Sequence, residues 1–277
     1  MRISIRHIIT QEFTPPARSV IQLMRLRPRA CESQSVMSWS IDADVDCQMR
    51  EQQDAFGNFV QTLDADGPLQ KLTVTARGEV ETFDTAGVLR NETERFSPEV
   101  YLRDTDLTEA DPALRKFARE AIKGAKTELD RPHFLMRAVN EAIAFEAARK
   151  EPVSAIEVFK AKTGASCELA HVFIAAARSV GAPARFVSGY LASESDGADR
   201  AADASDLRGW AEAYVEGLGW IGFDPSICLC MHDGHVRLAV ALDYLGAAPL
   251  RVSPLLSAKR SMEARAAIVQ GQAQRQA

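Results

Sequence analysis

The feature that most constrains this chain is a helix with almost no polar side. Leu169, Val172, Phe173, Ala176 and Val180 fall at helical spacing, and Ala170, Ile174 and Ala177 fill the other faces. A helix that is apolar nearly all round must be covered on every side, so the rest of the chain has to wrap it. Gly181 and Pro183 end it. Phe186 to Leu191, Trp210 to Val215 and Trp220 to Phe223 then read as strands, the last two joined by the hairpin signal Glu216-Gly217-Leu218-Gly219. These strands supply one side of the wrapping: an antiparallel sheet against a central helix.

The first hundred residues carry a different period. Ile3, Ile5 and His7 alternate with Arg2, Ser4 and Arg6, and alternation continues in Val20–Leu26, Ser38–Val45 and Leu72–Thr82. Turn formers at Pro15-Pro16, at Asp54 with Gly57-Asn58, and at Asp66-Gly67-Pro68 are expected to divide these strands. Short strands so spaced predict an antiparallel β-sandwich-like or barrel-like module. A polar stretch from Leu89 to Asp106 reads as a linker.

Helical patterns then run over Pro112–Gly124, Arg131–Ala148 and Pro152–Lys162, the last with Ser154 as its cap. Ser193–Ser205, rich in Ala, Ser and Asp, reads as a flexible loop. After Pro249 the pattern decays, and Gln270–Ala277 reads as a frayed tail. The expected organisation is α+β: an N-terminal β domain over 1–95, a helix-on-sheet core over 96–250 and a partly flexible segment over 251–277.

Net charge excludes several function classes. With 33 Lys and Arg against 38 Asp and Glu, the chain carries −5 and has no basic run to bind nucleic acid or an anionic membrane. No apolar stretch approaches the roughly eighteen residues of a membrane span, and the alternating N-terminus is unlike a signal peptide. Five scattered cysteines do not form a disulfide framework, so a reducing cytoplasm is the expected compartment.

The chemistry-bearing residues stand at the mouth of the apolar helix, where Ser166 and Cys167 are adjacent. Unpaired N–H groups and the helix dipole favour a thiolate there. Several runs carry a resemblance. They are the strand-rich start through Asp54-Ala-Phe-Gly-Asn58, Pro183–Leu191, Trp210-Ala-Glu-Ala-Tyr-Val and Gly219-Trp-Ile-Gly-Phe-Asp-Pro225, with His235-Val-Arg-Leu-Ala-Val and Asp243–Pro249 after them. Together they resemble the bacterial transglutaminase-like family, whose core is shared with papain-like cysteine proteases. The resemblance extends from residue 1 to about 250. It implies an N-terminal β domain, a papain-like core, and chemistry by a Cys-His-Asp triad.

Two triad positions are substituted. In the family the nucleophile lies in a run resembling Gly-Val-Cys-Gln-Asp-x-Ala-His. Laid without gaps on Gly164–His171, that run puts Ser166 at the cysteine and Cys167 at the glutamine. The family's histidine, two residues before a tryptophan, falls on Arg208, while Asp224 keeps the third position. A guanidinium stays protonated and cannot act as a base. Arg208 is expected to form a plain ion pair with Asp224, and Ser166 to serve as the N-cap of the helix. One step along a helix turns a side chain by about 100°, so Cys167 is expected to point away from a site facing Asp224.

The resulting expectation is a transglutaminase-like protein that has lost its triad. It would act as a non-catalytic binding or regulatory module, holding a peptide or protein in the residual cleft, with no cofactor. The alternative is an active cysteine peptidase, amidase or acyltransferase using Cys167 with a displaced base such as His171, His232 or His235. His171 matches the family's non-catalytic Ala-His pair and reads as a packed core residue. The cluster Cys228-Leu-Cys-Met-His-Asp-Gly-His235 has ligand types for zinc at cramped spacing, and reads instead as a loop leading into a strand. Trp210 and Trp220 read as core and pocket-wall residues. Glu212 and Tyr214 fit either a cleft lining or plain strand alternation. The oligomeric state is left open.

Overall fold

The computed structural model describes residues 1–90, 95–146, 153–192, 206–252 and 258–269. The expected loop Ser193–Ser205, the tail Gln270–Ala277 and Pro152 lie outside them. The first part of the described chain forms β1 (Arg2–Met24), β2 (Gln34–Ala43), β3 (Gln48–Gln53), β4 (Phe59–Thr82) and β5 (Val88–Leu89). Then come α1 (Pro112–Ala121), α2 (Asp130–Ala142), β6 (Ala144–Phe145), α3 (Ala155–Ala161), β7 (Thr163–Gly164) and α4 (Ser166–Ser179). The chain continues through β8 (Ala184–Leu191), β9 (Leu207–Val215), β10 (Gly219–Asp224), β11 (Leu229–Cys230), β12 (His235–Ala241), α5 (Tyr244–Ala247), β13 (Leu250–Val252) and β14 (Ala258–Ile268).

Alternation from Ile3 onward buries Ile3, Ile5, His7 and Ile9 and leaves Ser4 and Arg6 outside. The same alternation carries β1 through Pro15-Pro16 and β4 through Gly67-Pro68, where turns were expected. The chain absorbs the prolines as register shifts between Glu12 and Ala17 and between Ala17 and Ser19. A bulge leaves residues outside the ladder, so a missing N–H costs nothing there. Gly67 is required at this bend: a Cβ on it would stand 2.1 Å from the Ala17 carbonyl oxygen.

β1 and β4 pair along both halves. β14 and β2 flank one half, and β13 and β3 flank the other. Ile9, Leu72 and Val74 then share a core with Val20, Met24 and Leu63, so the bent sheet closes on itself as a sandwich-like layer. The residues after 250, where the sequence pattern decays, return as β13 and β14 onto β1. Their register is set by burial of Ala264 and Ala266.

The second sheet runs β11-β10-β9-β8-β12, with β5 also on β10. One face takes α4 through Phe186, Ala211, Ala213, Ile221 and Phe223, while Leu114, Leu135, Val139 and Val158 of α1–α3 cover the helix from behind. Leu169 and Phe173 are fully buried, each contributing about 1.5–3 kcal/mol of transfer free energy. The helical pattern that was expected to begin at Arg131 stops at Ala142, where Ile143 turns extended and β6 follows in parallel with β7. α3 starts as expected, with Ser154 Oγ accepting from Glu157 N–H and Glu157 accepting from Ser154 N–H. Gly181, at φ +81°, closes the end of α4.

The opposite face of this sheet packs Trp210 and Trp220 against Leu89 and Tyr101. The stretch expected as a linker therefore supplies core residues, because its few apolar side chains fall where the two tryptophans need cover. The two sheets are joined by hydrogen bonds between buried groups. Asn58 Nδ2 donates to the Val240 carbonyl at 2.7 Å, and Val240 N–H donates to Asn58 Oδ1 at 2.8 Å. Gln34 does the same with Arg237. Asp54 shapes the turn that presents Asn58, accepting from the N–H groups of Phe56 and Asn58. Among the described residues no helix is long and apolar enough to cross a membrane.

Candidate functional site

The mouth of α4 is built by Glu168 rather than by Ser166. The N-cap position belongs to Ala165, and Glu168 Oε2 accepts from Ala165 N–H at 2.9 Å while Oε1 accepts from Val153 N–H at 3.3 Å. The carboxylate reaches back from inside the first turn, so the expectation that Ser166 caps the helix is corrected. Released from that role, Ser166 sits in the first turn with its Oγ accepting from Gly209 N–H of β9 at 3.3 Å.

Cys167 does not point away. Gly209 has no side chain, and a Cβ there would meet the Cys167 sulfur at 2.7 Å and Phe186 Cζ at 2.6 Å. The thiol therefore packs on bare β9 backbone, within electrostatic reach of both Asp224 and Arg208. Burial, the largest influence, pushes it up to about 12; the Ser166 hydroxyl lowers it, Glu168 and Asp224 raise it, and Arg208 lowers it. At neutral pH the sulfur is a thiol, a poor nucleophile.

Arg208 makes no ion pair with Asp224. The residue is half-buried; its guanidinium lies 5.3 Å from the ring centroid of Phe145, and its Nε is buried without a hydrogen-bond partner. Asp224 is turned toward other groups. Its Oδ1 accepts from Ser226 N–H at 2.9 Å and from Ser226 Oγ at 2.5 Å. Its Oδ2 faces Nε2 of His235 at 3.6 Å, both side chains fully buried. The expected Arg208–Asp224 pair fails because the carboxylate is directed at Ser226 and at the start of β12 instead.

His235 is locked in that place. His232 N–H donates to its Nδ1 at 3.3 Å, so the ring proton belongs on Nε2, the nitrogen that faces Asp224. Trp210 and His232 stack edge-on against the ring, with centroids at 5.2 and 4.5 Å. His171 is also enclosed: its Nε2 accepts from Tyr244 N–H at 3.0 Å, and burial lowers it to about 4.

In the remaining cluster, Cys230 Sγ lies 4.0 Å from His133 Nδ1, and His232 Nδ1 accepts from Gly234 N–H. Among the described residues no three His, Cys, Asp or Glu side chains gather as metal ligands.

Glu212, the other cleft candidate, is fully buried in an ion cluster. Arg185 Nε donates to it at 2.6 Å and Arg237 Nε at 2.8 Å. Burial pushes Glu212 up, but the two guanidiniums outweigh that and hold it below the usual carboxylate range. The Arg185 guanidinium lies 3.8 Å from the Trp220 ring centroid. Sequence reasoning missed this cluster: Glu212 falls on an expected strand, but Arg185 lies one residue before the strand expected from Phe186, which in the structure begins at Ala184.

The mouth of α4 thus meets β9 of an antiparallel sheet, with Asp224 on the adjacent strand β10. Residues 115–225 match the transglutaminase-like superfamily, and residues 3–81 match the bacterial transglutaminase-like N-terminal region. The chain belongs to the transglutaminase-like superfamily. It is similar to an uncharacterised protein of Mycobacterium leprae (strain TN), at 24% identity over 90% of this chain and 92% of that one. Among solved structures, a candidate cysteine protease from Cytophaga hutchinsonii superimposes with a TM-score of 0.77. That match covers 96% of this chain and 90% of the other at 18% identity, and speaks for a shared transglutaminase-like fold.

Proposed function

We propose that this transglutaminase-like chain is a non-catalytic binding or regulatory module, with Ser166 and Arg208 standing where the family's cysteine and histidine would be. One observation supports the reading: each histidine has another partner, and among the described residues none is hydrogen-bonded to Ser166 or Cys167. The chain has five. His7 bonds Tyr190, His133 lies on Phe223, His171 accepts from Tyr244, His232 accepts from Gly234, and His235 faces Asp224. A serine hydroxyl needs an adjacent base to attack a carbonyl, and the cation at the histidine position is not one.

The cysteine-enzyme alternative asks Cys167 to ionise in a site whose burial holds the thiol near 12. Its displaced base would have to be His235, where one ring nitrogen accepts from His232 and the other faces Asp224. The residual cleft, freed of turnover, would hold a peptide or protein partner. Five free cysteines agree with a reducing cytoplasm.

The test is amide hydrolysis and acyl transfer to hydroxylamine by wild type and by the Ser166→Cys, Arg208→His double variant. Wild type is expected to give no turnover and the double variant to give some. Wild-type turnover that vanishes on Cys167→Ala would overturn the reading.

A further inference from the structure

We propose that the outer face of the N-terminal sheet carries a binding groove for a small phosphate monoester, centred on Arg6. This site is separate from the mouth of α4 and does not depend on the non-catalytic reading. The register of three adjacent strands sets Arg265 of β14, Arg6 of β1 and Arg77 of β4 in one row, with Ser40 of β2 at its end. The three are far apart in the sequence, so no basic run announces them. Neighbouring strands lie about 4.8 Å apart, which brings the three side chains within about 10 Å. Like charges directly opposite one another destabilise a sheet, so the row costs the fold stability.

The carboxylates around the row leave its centre uncompensated. On one side stand Ser4, Glu79 and Ser38; on the other, Glu263 and Asp42 stand at the two ends with Ile8 and Thr75 between them. Glu79 is held by Arg2, whose Nε donates to it at 2.8 Å. Glu263 accepts from Arg265 Nε at 3.3 Å. Asp42 lies 3.6 Å from Arg77, whose Nε also donates to Ser40 Oγ at 3.3 Å. Arg6 is exposed and makes no hydrogen bond or ion pair among the described residues. Each neighbouring carboxylate belongs to another arginine, and Arg6 is the cation left over.

The surface at this point is concave. A groove of about 480 Å³ is lined by Ser4, Arg6, Ser38, Ser40, Arg77 and Glu79, with Gly78 between the two rows. Gly78 is required there: a Cβ on it would stand 2.1 Å from the Ser38 carbonyl oxygen and 2.6 Å from the Trp39 ring. A bulge in β2 between Val36 and Ser38 sets Ser38 opposite Glu79, and bulges re-aim side chains beside binding sites. The hydroxyls of Ser4 and Ser38 have no partner among the described residues.

The donors select the ligand. A phosphate monoester is close to a dianion at neutral pH and offers three acceptor oxygens. Arginine forks bind such a group bidentately, and Arg6 and Arg77 supply two of them beside the Ser4 and Ser38 hydroxyls. The exposed Arg77–Asp42 pair is weak and exchanges its partner readily. The groove has the size of a small-molecule site, and Glu79 can accept from a hydroxyl on the body of the ligand. Glu263 and Asp42 close the row at both ends, and the chain carries −5 overall, so an extended polyanion is repelled where a small ester is not.

The test is calorimetric titration of the full chain with glucose 6-phosphate, glucose and hexaglutamate. Glucose 6-phosphate is expected to bind and glucose not to. Arg6→Gln should weaken the phosphate ester about tenfold, the loss of one charge-assisted contact, and Glu79→Gln should tighten it. Arg50→Gln, on the exposed strand β3 outside the groove, should leave it unchanged. Thermal melts of the variants confirm that they fold. Binding unchanged in Arg6→Gln, an equal loss in Arg50→Gln, or no binding of glucose 6-phosphate at millimolar concentration would each overturn the proposal. Hexaglutamate binding more tightly than the ester would overturn it in favour of an acidic protein segment.

Discussion

The Asp224 carboxylate faces Nε2 of His235 across 3.6 Å of buried space, and leaves Arg208 to stand alone. Asp224 thus faces an imidazole, one delivered from β12 and pinned by His232 N–H. His235→Ala would empty the space of a fully buried ring packed by Trp210 and His232, and should lower unfolding free energy by about 1–3 kcal/mol. Arg208→Ala removes no ion pair and should change it by less than about 0.5 kcal/mol. Urea titrations compare the two, and a larger loss for Arg208→Ala would contradict this assignment.

Glu212 neutralises two buried guanidiniums. Glu212→Gln leaves Arg185 and Arg237 without their carboxylate, and should cost about 3–5 kcal/mol. Because the folded carboxyl is held below its ordinary value, its contribution is complete above the unfolded pKa and is lost as pH falls through the folded one. The acid limb of the wild-type stability curve should therefore flatten in Glu212→Gln, as read by melting temperature from pH 7 down to pH 3.

How far the site was legible follows from which contacts are local. Ser166 and Arg208 could be placed by counting along motifs, and the central helix by its apolar surface. The orientation of Cys167 could not, because it depends on Glu168 capping the helix at Ala165 and on bare backbone at Gly209. Pro15 and Gly67 read as turns from sequence, while in the fold they mark a bend in long paired strands. His235 and Asp224 come from β12 and β10, a meeting that only the tertiary fold decides.

Gly209 is expected to be intolerant of a side chain. Gly209→Ala would drive a Cβ to within 2.7 Å of the Cys167 sulfur and 2.6 Å of Phe186, at a cost of about 1–3 kcal/mol. Adding Cys167→Ala should relieve part of the clash, giving a coupling of about 0.5–1 kcal/mol in a double-mutant cycle. Strict additivity would show that the thiol does not lie on β9.

Two buried histidines set a further pH dependence. Burial lowers His7 and His171 to about 4, so the unfolded chain takes up protons first as pH drops below about 6.5. Between that value and about 4 each histidine destabilises the fold by up to about 1.4 kcal/mol per pH unit. NMR of the imidazole carbons should show both rings neutral at pH 5.5. Protonation of either near pH 6.5 in the folded protein would refute its burial.

The central claim is that no activated nucleophile stands at the mouth of α4. Its most direct measurement is the rate of iodoacetamide alkylation at Cys167 against pH, followed by peptide mass mapping. With the thiol held near 12, alkylation at pH 7 should be slower than that of a free cysteine, and should still be rising at the alkaline limit of folding. A fast rate that levels off with an apparent pKa below about 7 would mark an activated thiolate, and would contradict the account.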